Sequence, residues 1–297
     1  MSAYYEGILM AVGINVLLAV GLWTTVSTGQ FSFGHAAFMG IGAYTASFLS
    51  LKMQVPLVPA AFIGAIAAGV GGIVVAFPAL RLSHLYLAMA TLGFAEIARI
   101  IFMNQEALGG AYGLGGMNGT TPLLVWVAVV IAVAYLWLLG RSRVGLAFGA
   151  VRQDEIAARA MGLNVTWIKV LAFGQGALIT GFAGALFAHY TFFIEPGMFG
   201  IERSVVVLLF VVFGSMTNLW GSIFGAVLLS LFPEVFRFLK DWYLFAYWGL
   251  LVALMIWRPQ GIWGQSWSAI ELFYAIFPRA RRRSLLSDRP SASPEVS

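Results

Sequence analysis

The 297-residue chain has no cysteine and only 10% charged residues. The first absence excludes disulfides, thiolate metal sites and thiol catalysis, and leaves the compartment open. The second excludes an ordinary soluble domain. Such domains average about 25% charged residues, and this chain has too few to clothe a water-facing surface. No GxxxxGK[ST] phosphate loop occurs, and the glycine-rich stretch from Gly109 to Gly119 lacks both its lysine and a preceding strand pattern. His35, His84 and His189 are scattered, with no nucleophile–base spacing and no ligand set, so neither an enzyme nor a metal site is expected. The first apolar stretch lacks the basic region of a cleavable signal and leads straight into more apolar sequence. The net charge of +5 is assigned to loops and tail, not to nucleic-acid binding.

What is abundant is apolar sequence: 61% of residues are hydrophobic, mean hydropathy is +0.90, and there are 34 glycines. Runs of about 17 residues or more identify transmembrane helices, and glycine suits close helix packing and broken helices. Segments are predicted at 7–26, 33–51, 57–77, 84–103, 122–139, 168–190, 204–215, 218–236 and 242–257. The seventh is short, and is either extended by its polar neighbours or crosses only in part. Gly113 to Gly119 and Gly214 to Gly225 fit discontinuous helices lining a protein interior. The expected fold is therefore all-α and polytopic, with eight or nine spans. Basic residues orient it: Arg81, Arg141, Arg143, Arg152, Arg159, Lys169, Arg258 and Arg279–Arg283 fall on one side, against Lys52, Arg203, Arg237 and Lys240 on the other. The excess of basic residues belongs in the cytoplasm, which puts the N-terminus outside and the C-terminus inside. Residues 1–264 form the membrane domain. Residues 265–297 form a basic, Ser/Pro-rich cytoplasmic tail, expected to be partly disordered and attracted to anionic lipid.

The densest internal charge lies in 141–169, which carries Arg141, Arg143, Arg152, Asp154, Glu155, Arg159 and Lys169 between apolar flanks. Within it, VRQDEIAARAMG (151–162) predicts one short helix. Asp154 and Glu155 favour its N-terminus, Glu155 and Arg159 pair at i,i+4, Ala157, Ala158 and Ala160 offer a small-residue surface, and Gly162 ends it. Such a helix either enters a groove on a partner protein or is a solvated connector between two spans.

Polar residues inside apolar segments are the other candidates. Ser27 to His35 includes Gln30, Ser32 and His35. A broken helix here would present N–H groups to a solute carboxylate, whereas packing and capping at an interface explain the same residues. Glu96 and Arg99, at i,i+3, are either an internal ion pair or groups that meet a zwitterionic solute. Asn15 suits the path or a helix–helix hydrogen bond. Tyr112, Glu195, Glu202 and Arg203 fall on the predicted outer side, available to an external partner. Phe33-Gly34 before Gly40-Ile41-Gly42-Ala43 faintly echoes Phe213-Gly214 before Gly221, Gly225 and Ala226. That echo suits an internal duplication or a general richness in glycine.

Three ordered stretches carry a family resemblance: STGQFSFGHAAFMGIGAY (27–44), LYLAMATLGFAEIARI (85–100) and GLAFGAVRQDEIAARAMGLNVTWIKVLAF (145–173). Together they resemble the LivM type of permease in branched-chain amino acid importers of the ATP-binding-cassette class, over about residues 8–264. Glu155, Ala157, Ala158 and Gly162 resemble that class's coupling loop, though Ile156 intervenes between the acid and the alanines. The resemblance implies a multi-pass protein of the bacterial inner membrane that pairs with a second, LivH-type permease. It also implies two cytoplasmic ATPases of LivG/LivF type, which bind ATP and Mg, and a periplasmic or surface-tethered solute-binding protein. Asp154, Glu155, Ala157, Ala158, Arg159 and Gly162 would dock an ATPase. Competing expectations are a permease of the same architecture for urea, short amides or other amino acids, and an autonomous secondary transporter built on Glu96 and Arg99.

Overall fold

A computed structural model of the chain describes residues 2–82, 84–235 and 249. The expected ninth segment (242–257) and the tail (265–297) lie outside these described residues. The described residues form ten α-helices in order: α1 (Ser2–Val26), α2 (His35–Lys52), α3 (Leu57–Ala79), α4 (His84–Asn104), α5 (Pro122–Arg141), α6 (Arg143–Gln153), α7 (Glu155–Ala160), α8 (Val165–Thr191), α9 (Ile201–Gly214) and α10 (Leu219–Val235). Among the described residues, six stretches are long and apolar enough to cross a membrane: Tyr4–Val26, Leu57–Ala79, Leu85–Asn104, Pro122–Arg141, Val165–Thr191 and Pro196–Gly214. The protein is an all-α, multi-pass membrane protein.

α8 is the axis of the bundle, with α1, α2 and α3 packed around it. It can be surrounded because its inward positions are small: Gly174, Gly176, Ala177, Gly181, Ala183, Gly184 and Ala185 are all buried. Lipid tails give apolar helices no hydrophobic reason to associate, so close backbone approach and dispersion must hold them. At the tightest crossing, Gly64 of α3 backs onto the Gly42 carbonyl of α2, and Gly42 backs onto Gly181 of α8. α2 is not among the six long apolar stretches, yet His35 to Ala43 are buried except Ile41. A helix screened by its neighbours need not be compatible with lipid.

Hydrogen bonds define the two ends of the bundle. At one end Tyr190 Oη donates to the Gly7 carbonyl at 3.1 Å, Thr120 Oγ1 donates to the Leu186 carbonyl at 3.0 Å, and His189 Nε2 lies 2.9 Å from Ser50 Oγ. At the other, the rings of Phe77 and Trp167 meet edge to face at 5.6 Å, and α6 and α7 lie across the ends of α1 and α8.

One open expectation is resolved and two change. The short seventh segment is extended: a 3₁₀ turn (Pro196–Phe199) leads into α9 and lengthens the apolar stretch to 19 residues. Gly113 to Gly119 interrupts no helix. Leu114–Gly115 (β1) pairs antiparallel with Phe193–Ile194 (β2), because Gly113 has no side chain to obstruct the Ile194 carbonyl. Between Gly214 and Gly225 the only break is 215–218. Gly221 and Gly225 lie within α10 and admit the α9 backbone at Gly214 and Phe210.

Candidate functional site

The single helix expected over 151–162 is two helices that form an elbow. Ser142 turns the chain out of α5: its hydroxyl donates to the Leu139 carbonyl at 2.7 Å and accepts from Gly145 N at 3.3 Å. α6 then runs to Gln153 and stops at Asp154, whose backbone is extended (φ −157, ψ 111). The stop has a local cause. The Asp154 carboxylate accepts from Ile156 N at 2.8 Å and Ala157 N at 3.1 Å, and so caps a new helix in place of continuing the old one. Asp154→Ala is expected to remove about 1 kcal/mol of α7 stability, seen as faster amide exchange at Ile156 and Ala157.

Gly162 ends α7 as the sequence indicates. Its φ of +84 is the left-handed region, and two bonds close the turn: Gly162 N to the Arg159 carbonyl at 3.0 Å and Leu163 N to the Ala158 carbonyl at 3.1 Å. Ala158 and Leu163 pack inward with Val151, Val165 and Ile168. Ala158 is therefore the anchor of α7, not part of its outward face. Facing out are Ala157, Arg159 and Ala160, with Ile156 82% and Met161 84% exposed. Sequence reasoning missed Ile156 and Met161. The available signal was two bulky apolar residues inside the most charged stretch of the chain.

Glu155 pairs with Arg159 across one helical turn at 3.9 Å, as the spacing predicts, but its closer partner is Lys169 of α8. Lys169 also receives Gln30: Gln30 Nε2 donates to the Lys169 carbonyl at 3.2 Å and to Thr28 Oγ1 at 2.6 Å. Thr28 Oγ1 donates to the Thr25 carbonyl at 2.9 Å, and Thr25 Oγ1 lies 3.2 Å from His35 Nε2. The 27–34 break therefore does hold polar side chains together, but in the protein interior. Gln30, Ser32 and His35 are each 1% exposed, and His35 sits edge-on to Phe38 at 5.9 Å. Two N–H groups of the break are already bonded, Phe33 N to Thr91 Oγ1 at 3.0 Å and Gly34 N to Ser32 Oγ at 3.1 Å. They are not offered to a solute in this conformation.

The elbow also touches the second break. Arg152 Nη1 donates to the Met216 carbonyl at 2.7 Å, and partial burial pulls its guanidinium below the ordinary arginine pKa. Beside it a cavity of about 620 Å³ separates α6 from α1 and α5, lined in part by Trp23, Ser27, Leu136 and Phe148.

The remaining candidates fall into two groups. Glu96 and Arg99 pair at 2.8 Å on α4, beside Gly200 at the start of α9, and both are part-exposed. Asn15 bridges α1 to α10 and α9: its Nδ2 donates to Ser230 Oγ at 2.9 Å and its Oδ1 accepts from Arg203 Nη2 at 3.1 Å. Arg203 is thereby turned inward, over the Phe187 ring, because a hydrogen-bond acceptor and an aromatic face await it there. Tyr112, Glu195 and Glu202 are exposed, and the β1–β2 pairing brings the first two to the same end of the molecule.

Residues 4–257 match the family described as the permease component of the branched-chain amino acid transport system. The high-affinity branched-chain amino acid transport system permease protein LivM of Salmonella typhimurium strain LT2 is 33% identical over 291 residues, covering 86% of this chain and 67% of the relative. LivM of Escherichia coli K12 matches with the same identity and coverage. The ribose import permease protein RbsC of Escherichia coli K12 is more distant, 26% identical over 190 residues, with 60% of this chain and 59% of RbsC covered. No solved structure matches. With an elbow that meets both helix breaks, and a family match over nearly all of its apolar length, this chain belongs to the branched-chain amino acid permease family.

Proposed function

We propose that this chain is one membrane subunit of an ATP-driven importer for leucine, isoleucine and valine, working with a second permease, two ATPases and an external solute-binding protein. The outward face of α7 carries the reading. Ile156, Ala157, Ala160 and Met161 form an apolar, small-residue surface on a capped helix, and Arg159 flanks it. A solvated connector gains nothing from two large apolar side chains more than 80% exposed, whereas a docking helix does. The occupant is a groove on a cytoplasmic ATPase. ATP and Mg belong to that partner.

In this reading the elbow is cytoplasmic and the N-terminus external, with α1–α5, α8, α9 and α10 crossing. Arg141, Arg143, Arg152, Arg159 and Lys169 gather in and around the elbow, as an excess of basic residues in the cytoplasm requires. Tyr112, Glu195 and Glu202 then face the solute-binding protein. Glu96 and Arg99 are the charged groups left part-exposed on the span α4, and they face the solute path or the second permease. Support for branched-chain amino acids as the solute is the similarity to LivM. An apolar route discriminates by only about 1–3 kcal/mol per methylene, so the binding protein does most of the choosing.

The test is uptake of radiolabelled leucine into proteoliposomes holding this chain, its second permease and both ATPases, with binding protein outside and ATP inside. Uptake that requires all components is expected. Leucine-independent ATP hydrolysis, stimulated by a different binding protein with its own solute, would move the substrate to another amino acid, urea or an amide. Uptake by this chain alone without ATP would make it an autonomous transporter.

A further inference from the structure

α6 leaves the end of α5 at a close contact and then diverges from it. A Cβ on Gly145 would overlap the Leu139 carbonyl, whereas one on Gly149, a turn later, would meet nothing within 4 Å. The gap that opens is the cavity of about 620 Å³, within the range of roughly 300–1,000 Å³ typical of small-molecule sites. Gly145, Phe148, Gly149 and Arg152 recur at helical spacing, so one stripe of α6 forms a wall of it. Arg152 is the one charged residue of the lining. Its guanidinium uses one N–H on the Met216 carbonyl at 2.7 Å and meets no carboxylate within 4 Å among the described residues. The acids nearest in sequence are engaged elsewhere: Asp154 caps α7, and Glu155 pairs with Lys169 and Arg159. Arginine carries five N–H donors, so most of this fork is left for a ligand. Gln153 and Thr217 add an amide and a hydroxyl to the same lining, and the indole N–H of Trp23, also in the wall, is buried without an acceptor among the described residues. A half-buried cation with no anion beside it is costly, and an anion entering the cavity relieves that cost through charge-assisted hydrogen bonds.

The cavity lies where α1 and α5 end, at a level shared by Trp23, Trp137 and Trp167, whose amphipathic rings favour a membrane–water boundary. The Arg141 guanidinium sits over the Trp137 ring at 3.7 Å. Arg143 and Arg152 bracket α6, and between them Val144 and Leu146 are 37% and 70% exposed, the pattern of a helix lying in the headgroup layer. We propose that the cavity is a binding site for a phosphate group, whose oxygens are taken by the remaining N–H groups of Arg152, with Gln153 and Thr217 completing the polar side. The phosphodiester of an anionic lipid headgroup suits both the boundary position and the apolar walls of Leu136, Leu139 and Phe148. Inorganic phosphate offers the same group without acyl chains. The site does not depend on the importer reading. It requires only that α5 end at a membrane surface.

Native mass spectrometry of the full-length chain in detergent micelles, titrated with short-chain phosphatidylglycerol, tests the site without any partner or solute. Phosphatidylcholine, whose choline cancels the phosphate charge, is the comparison lipid. The wild-type chain is expected to prefer phosphatidylglycerol, and Arg152→Gln to lower that affinity about tenfold or more. Arg152→Lys, which keeps the charge and loses the fork, should fall between them. Gly149→Leu fills the cavity and leaves Arg152 in place, so it should weaken binding even if Arg152→Gln fails to fold. Arg143→Gln removes an exposed elbow cation outside the lining and should change affinity by less than about twofold. A second arm follows inorganic phosphate by phosphorus NMR line broadening. Broadening that Arg152→Gln abolishes, with no preference for phosphatidylglycerol, would support the site and assign it to the free anion. Equal losses in Arg152→Gln and Arg143→Gln would mean diffuse attraction to a basic surface and would overturn the proposal. So would equal affinity for the two lipids together with no binding of phosphate.

Discussion

Replacing Ile156 and Met161 together by aspartate is expected to abolish ATP-driven uptake while leaving the membrane bundle folded. Neither side chain contributes to the interior, since they are 82% and 84% exposed. Their removal therefore costs the isolated chain little. In a docked complex each is worth about 1.5–3 kcal/mol of apolar burial, and a buried unpaired carboxylate adds a further penalty. A loss of about 3–6 kcal/mol corresponds to a hundredfold or greater fall in docking affinity. Binding of the purified ATPase to the chain in nanodiscs would measure it directly, with size-exclusion behaviour and thermal stability as the check on folding. Ala158→Asp is the informative contrast. It strikes the inward anchor of α7 among Val151, Leu163 and Val165, and should unfold the short helix as well as weaken docking. Unimpaired ATPase binding by the Ile156/Met161 double variant would place the docking face elsewhere on the elbow.

A single methyl group at Gly42 is expected to destabilise the bundle more than a carboxylate on α7 would. A Cβ built there overlaps the Gly181 carbonyl of α8, and the Gly42 carbonyl already lies 2.6 Å from the position a Cβ would take on Gly64 of α3. Three backbones converge at this point, so no flexible side chain can give way. Overpacking of a well-packed core typically costs 1–3 kcal/mol, and Gly42→Ala belongs at about the upper end of that range. Gly93→Ala provides the matched control, because a Cβ on that α4 residue meets nothing within 4 Å. It should be neutral or slightly stabilising, through the better helix propensity of alanine. Thermal unfolding of the two variants in the same lipid would show the difference. Equal stability would mean that α2 and α8 can separate without loss.

How far the sequence could be read depended on the kind of interaction involved. Long apolar runs, charge asymmetry and the acidic start and glycine end of α7 are local properties, and a single pass along the chain located them. The class of molecule, most helix positions and the terminating role of Gly162 follow from composition and short-range hydrogen bonding alone. The break between α6 and α7 was missed although its cause, the Asp154 side chain, is itself local. Helix propensity on both sides concealed it.

What only the tertiary structure decided is which distant groups share an environment. Nothing in the spacing of Glu155 and Lys169, or of Gln30 and Lys169, marks them as partners. They meet because glycines on α2, α3 and α8 let those helices pass closely enough to bring the first turn of α8 under the end of α1. Arg203 is another such case: a charge on the expected outer side reads as exposed until Asn15 and Phe187 are placed beside it. Short-range chemistry is written in adjacent letters. Helix crossings depend on shape complementarity between residues more than a hundred positions apart, and the fold alone brings those surfaces together.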